Sequence, residues 1–170
     1  SNIIDYTNNG DSSDFLDFYL ISKCKFVISA PTGITRMASL FRKPSLVVDE
    51  TNPSDLDRLP DRIMLLLKKF QNLKTGKSIS FQEVYEKKLN YIGGHLELNK
   101  LGYKLIDNSE FEIKRATESF FDLINNDNSL NENLQKQKKY WQNVEEHFGF
   151  KNKSTIICPD FYLNNNDLFE

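Results

Sequence analysis

A chain of 170 residues, 39% apolar and 12% aromatic, is long and hydrophobic enough to bury a core and too apolar to stay disordered. Its 22 basic and 24 acidic residues give a formal charge of −2 and are mixed along the chain, so the basic stripe of a nucleic-acid binder is missing. The longest apolar run, residues 63–67, falls far short of the roughly 20 residues a membrane span needs, and no secretory pattern is visible, so the expectation is a cytoplasmic protein without a membrane span.

The chain opens without Met, and Ser1-Asn2 leads at once into Ile3-Ile4, as if earlier βα units preceded it. The expectation is therefore a piece of a longer protein, folded as a single domain over residues 1–170. Residues 3–6 read as a buried strand running into the polar loop 7–11, which contains Asn9 and Gly10. Ser12 or Ser13 then caps a helix with Asp14 and Asp17 in its first turn, the charge that position favours. The helix runs to about Lys23, next to Cys24, which is expected to face the core. Cys24 and Cys158 form no CxxC pair and read as incidental thiols. Residues 25–29 form a short β-branched strand, residues 30–33 a turn, and Ile34, Met37, Ala38 and Phe41 fall at helical spacing before Pro44. Residues 45–48 give the next strand. Strand, helix, strand, helix, strand within 50 residues predicts an α/β fold: a Rossmann-like parallel sheet flanked by helices.

Residues 62–70 fit either a strand or a helix. Ser80 with Glu83 forms a capping box that opens a helix over 81–90, and Gly93-Gly94 breaks it. A short helix ends at Gly102, the expected left-handed cap, and 103–107 reads as a fourth strand of the same sheet. Ser109 with Glu112 is a second capping box, opening a helix with Ile113, Ala116, Phe120 and Leu123 on one face. From residue 129 onward the chain reads as a helical C-terminal extension: Leu130, Leu134, Trp141, Val144 and Phe148 mark one long amphipathic helix closed by Gly149. A short apolar run follows at 155–158.

Ligands of open parallel sheets bind beyond the carboxyl ends of the strands, which singles out loops 7–11, 29–35 and 49–52. In the middle one the chain reads Ser29-Ala30-Pro31-Thr32-Gly33-Ile34-Thr35 and enters a helix. Small residues let an anion approach the backbone, the helix start supplies free N–H groups, and Ser29, Thr32 and Thr35 carry hydroxyls. A plain turn with a Thr cap fits the same residues. Asp14 serves as a cap charge or as a contact to this loop, and Glu50 either accepts from ribose hydroxyls or is a solvated loop carboxylate. His95 and His147 are isolated, and no DxD pair, HExxH or nucleophile elbow appears, so no metal ligands and no catalytic residue can be named.

The stretch from Ser13 to Ser29, followed by Thr32-Gly33-Ile34, resembles a group of bacterial glycosyltransferases of unassigned specificity. The likeness continues through Arg42-Lys43-Pro44, the stretch from Lys74 to Glu83, Asp107-Asn108-Ser109 and the tail from Phe161 to Leu168. The pattern is also similar to the donor-binding C-terminal half of two-domain, GT-B-type glycosyltransferases. The resemblance implies a nucleotide-diphosphate sugar as substrate, no obligatory metal or other cofactor, and a preceding N-terminal domain that carries the acceptor contacts. It implies donor contacts around Ser29, Thr32, Gly33, Ile34 and Thr35, with Asp14, Glu50, Asn9 and Gly10 as further candidates. Two alternatives stay open: a non-catalytic module of the same fold that holds a nucleotide or phosphosugar or docks a partner, and a pyruvyl-transferase-like enzyme.

Overall fold

The computed structural model of the chain describes residues 4–6, 8, 12–53, 62–149, 151, 152 and 154–170. Helix α1 (Asp14–Lys23) starts where the Ser13 hydroxyl accepts the Leu16 N–H at 3.2 Å. It leads into β1 (Val27–Ser29), α2 (Gly33–Leu40) and β2 (Ser45–Glu50). The ambiguous apolar stretch is a strand, β3 (Ile63–Leu67), all five residues of which are buried. A continuous apolar run is what a central parallel strand requires, because both of its faces are covered. The short run near the tail is also a strand, β6 (Thr155–Ile157). These four form one sheet in the order β1-β2-β3-β6, and every neighbouring pair is parallel. The fold is thus α/β, a four-stranded parallel sheet flanked by helices, as the alternation predicts.

The fourth predicted strand goes elsewhere. β5 (Tyr103–Ile106) pairs antiparallel with β4 (Lys69–Asn72) in a separate two-stranded sheet. Its burial pattern explains this: Tyr103 is buried and Lys104 exposed, the one-sided alternation of an antiparallel ribbon rather than of a central strand. Its expected place in the parallel sheet is filled by β3 and β6. Ile4, Asp5 and Tyr6 form no strand, and Ile4 is exposed; Ile3 lies outside the described residues. A strand needs a neighbour, and among the described residues nothing pairs with the outer edge of β1.

The helix expected to open on a Ser80/Glu83 capping box is α3 (Phe81–Glu86). The Ser80 hydroxyl accepts the Glu83 N–H at 3.2 Å, but Glu83 binds Lys87 instead of returning to the cap, and the helix stops where Lys88 turns left-handed (φ 56°), before a 3-10 turn at Leu89–Tyr91. Helix α4 (His95–Lys100) ends near Gly102, whose φ of 85° is the conformation that favours glycine. Helix α5 (Glu110–Asn125) opens on the full Ser109/Glu112 capping box and presses Ala116, Phe120 and Leu123 into the core. Phe26 meets the Phe120 ring edge to face at 5.8 Å.

The single long helix expected after residue 129 is two helices, α6 (Asp127–Lys136) and α7 (Lys138–Phe148), and the extension is not purely helical because it supplies β6. Gln137 causes the break. Its side chain is drawn inward, where Nε2 donates to the Ile157 carbonyl at 2.7 Å while Oε1 accepts the Ile157 N–H at 2.8 Å. The side-chain amide thereby does for the outer edge of β6 what another strand would do. Trp141 is buried on the inner face of α7 with Tyr140 and Val144, as its spacing predicts. Helix α8 (Pro159–Asn164) follows β6, and the tail brings Phe169 against Phe81, Tyr140 and Tyr162.

Candidate functional site

With four parallel strands, one edge of the sheet gathers the carboxyl ends at Ser29, Glu50, Leu67 and Ile157. At β1 the turn into α2 is pinned from within. The Thr35 hydroxyl donates to the Ala30 carbonyl at 2.9 Å and lies 2.8 Å from the Ser29 hydroxyl. The Thr35 N–H closes onto the Thr32 carbonyl at 3.1 Å. Ser29 and Thr35 therefore shape the turn, with their hydroxyls already engaged. Thr32 takes the cap position with extended backbone, yet its side chain makes no cap bond to the first turn of α2. Among the described residues neither the Gly33 nor the Ile34 N–H has an acceptor. Gly33 has an ordinary φ, and a Cβ built there meets nothing within 4 Å, so open space lies beside it.

The other predicted residues are placed differently. Asp14 stands exposed in the first turn of α1, and no bond among the described residues joins it to the 29–35 turn. Asn9 and Gly10 lie outside the described residues. Glu50 is buried: its Oε1 accepts the N–H groups of Thr51 and Asn52, both at 2.8 Å, and so organises the turn after β2.

Around β2 and β3 lies a polar knot that sequence reasoning missed. Asp49 sits in the left-handed region (φ 57°) where the β2–β3 register shifts. The Asp49 and Asn108 side chains each accept the other residue's N–H at 2.8 Å, and Asn108 Nδ2 donates to the Leu67 carbonyl at 2.9 Å. Lys68 binds Asp107 at 2.7 Å, and that bond holds the Asp107 carboxyl below its usual range. The position of Asp49 at a strand end and the Asn108-Ser109 pair at a helix start were the only sequence signals, and both also describe ordinary caps.

Between α5 and α8, beyond β3 and β6, Leu66, Phe111, Arg115, Cys158, Asp160 and Phe161 line a cavity of about 60 Å³. That is far below the roughly 300–1,000 Å³ of an ordinary ligand pocket and too little for a sugar nucleotide. Arg115 bridges to Asp160 at 2.7 Å at this cleft, and burial pushes the Cys158 thiol up. Among the described residues no group of three or more His, Cys, Asp or Glu side chains could hold a metal ion, and no helix is long and apolar enough to cross a membrane.

The helix starts on the described chain are treated unequally. Side chains cap α1 (Ser13), α3 (Ser80), α5 (Ser109) and α6 (Asn126), and at α5 the Glu112 carboxylate returns to the Ser109 N–H at 2.8 Å. The starts of α2, α4, α7 and α8 have no such cap, and of these α2 and α8 follow parallel strands of the main sheet. No protein-family model, no curated protein and no solved structure matches the chain.

Proposed function

We propose that the chain holds the diphosphate of a nucleotide sugar at the turn of residues 29–35, as the donor-binding portion of a GT-B-like glycosyltransferase that passes a sugar to an acceptor hydroxyl. The observation that carries this reading is the pair of free donors, the Gly33 and Ile34 N–H groups, at the start of an uncapped helix beyond a parallel strand. Such donors favour an anion through both hydrogen bonding and the helix dipole. The resemblance of this stretch to glycosyltransferases supplies the identity of the anion. Thr32 adds a hydroxyl beside the two N–H groups, while Ser29 and Thr35 keep the turn in shape. Charge that grows on the departing diphosphate would be stabilised by these fixed donors, whose orientation is set before the reaction. Acceptor contacts and the base belong, on this reading, to a preceding domain of the same chain.

The test is calorimetric titration of UDP, GDP and CDP into wild-type protein and Gly33→Val. The site beside Gly33 is open, so the fold and melting temperature are expected to be unchanged. The valine side chain should bar a phosphate from the backbone, and loss of one charge-assisted hydrogen bond, about 1.5 kcal/mol, weakens binding roughly tenfold. Equal affinity in both proteins, or no nucleotide binding by the wild type, would overturn the reading.

A further inference from the structure

The two edges of the main sheet differ. The β6 edge is covered by the Gln137 amide, which bonds both backbone groups of Ile157. The β1 edge is bare among the described residues. The Val27 N–H donates to the Pro44 carbonyl at 2.9 Å, so Val27 and Ser29 turn their backbone groups toward β2. By the alternation of a strand, the N–H and C=O of Ile28 point off the edge. A bare edge is a template for another strand, and proteins that keep one bare usually guard it with charge or proline.

Here Lys25 and Pro31 bound the three-residue strand, and the neighbouring helices α1 and α2 expose apolar side chains. Phe15 is 77% and Leu40 76% exposed, and Phe18, Tyr19, Ile28 and Phe41 are each about two-fifths to half exposed. Phe18 and Phe41 meet edge to face across α1 and α2, with centroids 6.4 Å apart, which makes the patch continuous between the two helices. At about 200 Å² per aromatic side chain, these residues expose on the order of 600 Å². That is the upper end for a monomer's largest patch and near the roughly 800 Å² per partner of a stable interface.

We propose that this surface joins a second copy of the chain about a two-fold axis, with the β1 strands pairing antiparallel at Ile28. The axis places Ile28 opposite Ile28 of the copy, so that each gives one N–H and accepts one, the exchange made by a hydrogen-bonded antiparallel pair. The four-stranded sheet becomes eight-stranded. A two-fold interface must complement itself, and the charges of α1 do so. Asp14 and Asp17 stand at its start and Lys23 in its last turn, so two antiparallel α1 helices set acid against base at both ends. The contact is lateral and leaves the carboxyl ends of the strands open. It holds whether or not the 29–35 turn binds a nucleotide.

Sedimentation equilibrium of the 170-residue chain over a range of concentrations tests this, with a dimer of twice 19.8 kDa expected. Ile28→Pro removes only an outward N–H, which an edge strand tolerates, and is expected to give a monomer with an unchanged circular dichroism spectrum. Should that variant fail to fold, charge reversal decides. Asp14→Lys and Lys23→Asp are each expected to weaken the dimer roughly tenfold by setting like charges together twice per interface, and the double variant is expected to restore it. A wild-type chain that stays monomeric at its highest soluble concentration would overturn the proposal and leave the face to a different occupant. So would a dimer that survives Ile28→Pro, or charge variants that leave its dissociation unchanged.

Discussion

Gln137→Met is the sharpest probe of how this sheet ends. The substitution keeps the side-chain volume and removes both amide groups, so that no cavity opens and the loss is polar. In the native chain Gln137 is 1% exposed and makes three contacts: two with the Ile157 backbone, and a longer one in which Trp141 Nε1 donates to Oε1 at 3.3 Å. After the change the Ile157 N–H and C=O face methyl and sulfur, with no room for water. A buried polar group left without a partner costs about 1–3 kcal/mol, and the long indole bond adds little. The expected destabilisation is about 4 kcal/mol, a large share of the roughly 5–15 kcal/mol a domain possesses. Urea denaturation followed by tryptophan fluorescence reads it directly, since Trp141 lies beside the site. With a slope of about 2 kcal/mol/M, the midpoint should fall by about 2 M. Gln135→Met, on an exposed position of α6, is the control and should stay within about 0.5 kcal/mol. A midpoint shift worth less than about 1 kcal/mol at unchanged slope would show that β6 does not depend on this amide.

The remaining expectations concern α5. Ser109→Ala removes the cap that accepts the Glu112 N–H and should cost about 1 kcal/mol, read as a melting temperature lower by about 2–4 °C. For Glu112, burial favours the neutral form, but the Ser109 N–H and hydroxyl and the Lys69 ammonium outweigh it and hold the carboxyl below its usual range. A depressed carboxyl pKa stabilises the fold fully above the unfolded value, and that stability is lost as pH falls through the folded value. The stability gap between wild type and Lys69→Met should therefore be open at neutral pH and close below about pH 4; a gap that persists in acid would refute the ion-pair account.

Much of the fold could be read from local signals. Ser13 and Ser109 announced α1 and α5 because a hydroxyl three residues ahead of a free N–H is a short-range device, complete within one turn. The alternation of short strands with helices gave the parallel sheet. The errors are those of tertiary context. Residues 103–106 read as a strand and are one, but pairing partners are not encoded within four residues, and Lys69 of β4, rather than a strand of the parallel sheet, stands opposite Ile106. The apolar spacing of 130–148 persists across Gln137, so no periodicity marks the break; only the contact with Ile157, twenty residues on, makes it. At the candidate site, the small-residue turn and its helix were legible. That the Ser29 and Thr35 hydroxyls would turn inward, and that the Glu50 carboxylate would be buried under its own turn, depends on packing that no spacing reports.

The strand order bears on how a ligand could be held. In doubly wound sheets a crevice opens where the order reverses, but β1, β2, β3 and β6 follow one another from edge to edge without reversal. The described strands therefore supply no crevice of that kind, and a ligand at the carboxyl edge has to be held by whatever donors the loops leave unspent. At β2, the Thr51 and Asn52 N–H groups are taken by Glu50, and the Asp49 N–H by Asn108. At β3, the Lys68 N–H is taken by the Glu50 carbonyl and the Lys68 ammonium by Asp107. Beyond β6, Cys158 donates its N–H to Leu65 and Pro159 has none to give, but the Asp160 and Phe161 N–H groups in the first turn of α8 have no oxygen acceptor among the described residues. An anion at the ends of β2 and β3 would have to displace a protein oxygen, whereas at Gly33 and Ile34, as at the start of the shorter helix α8, it would not. Of these two open helix starts, α2 is the one that the resemblance marks, and affinity there would be sensitive to a single side chain at Gly33.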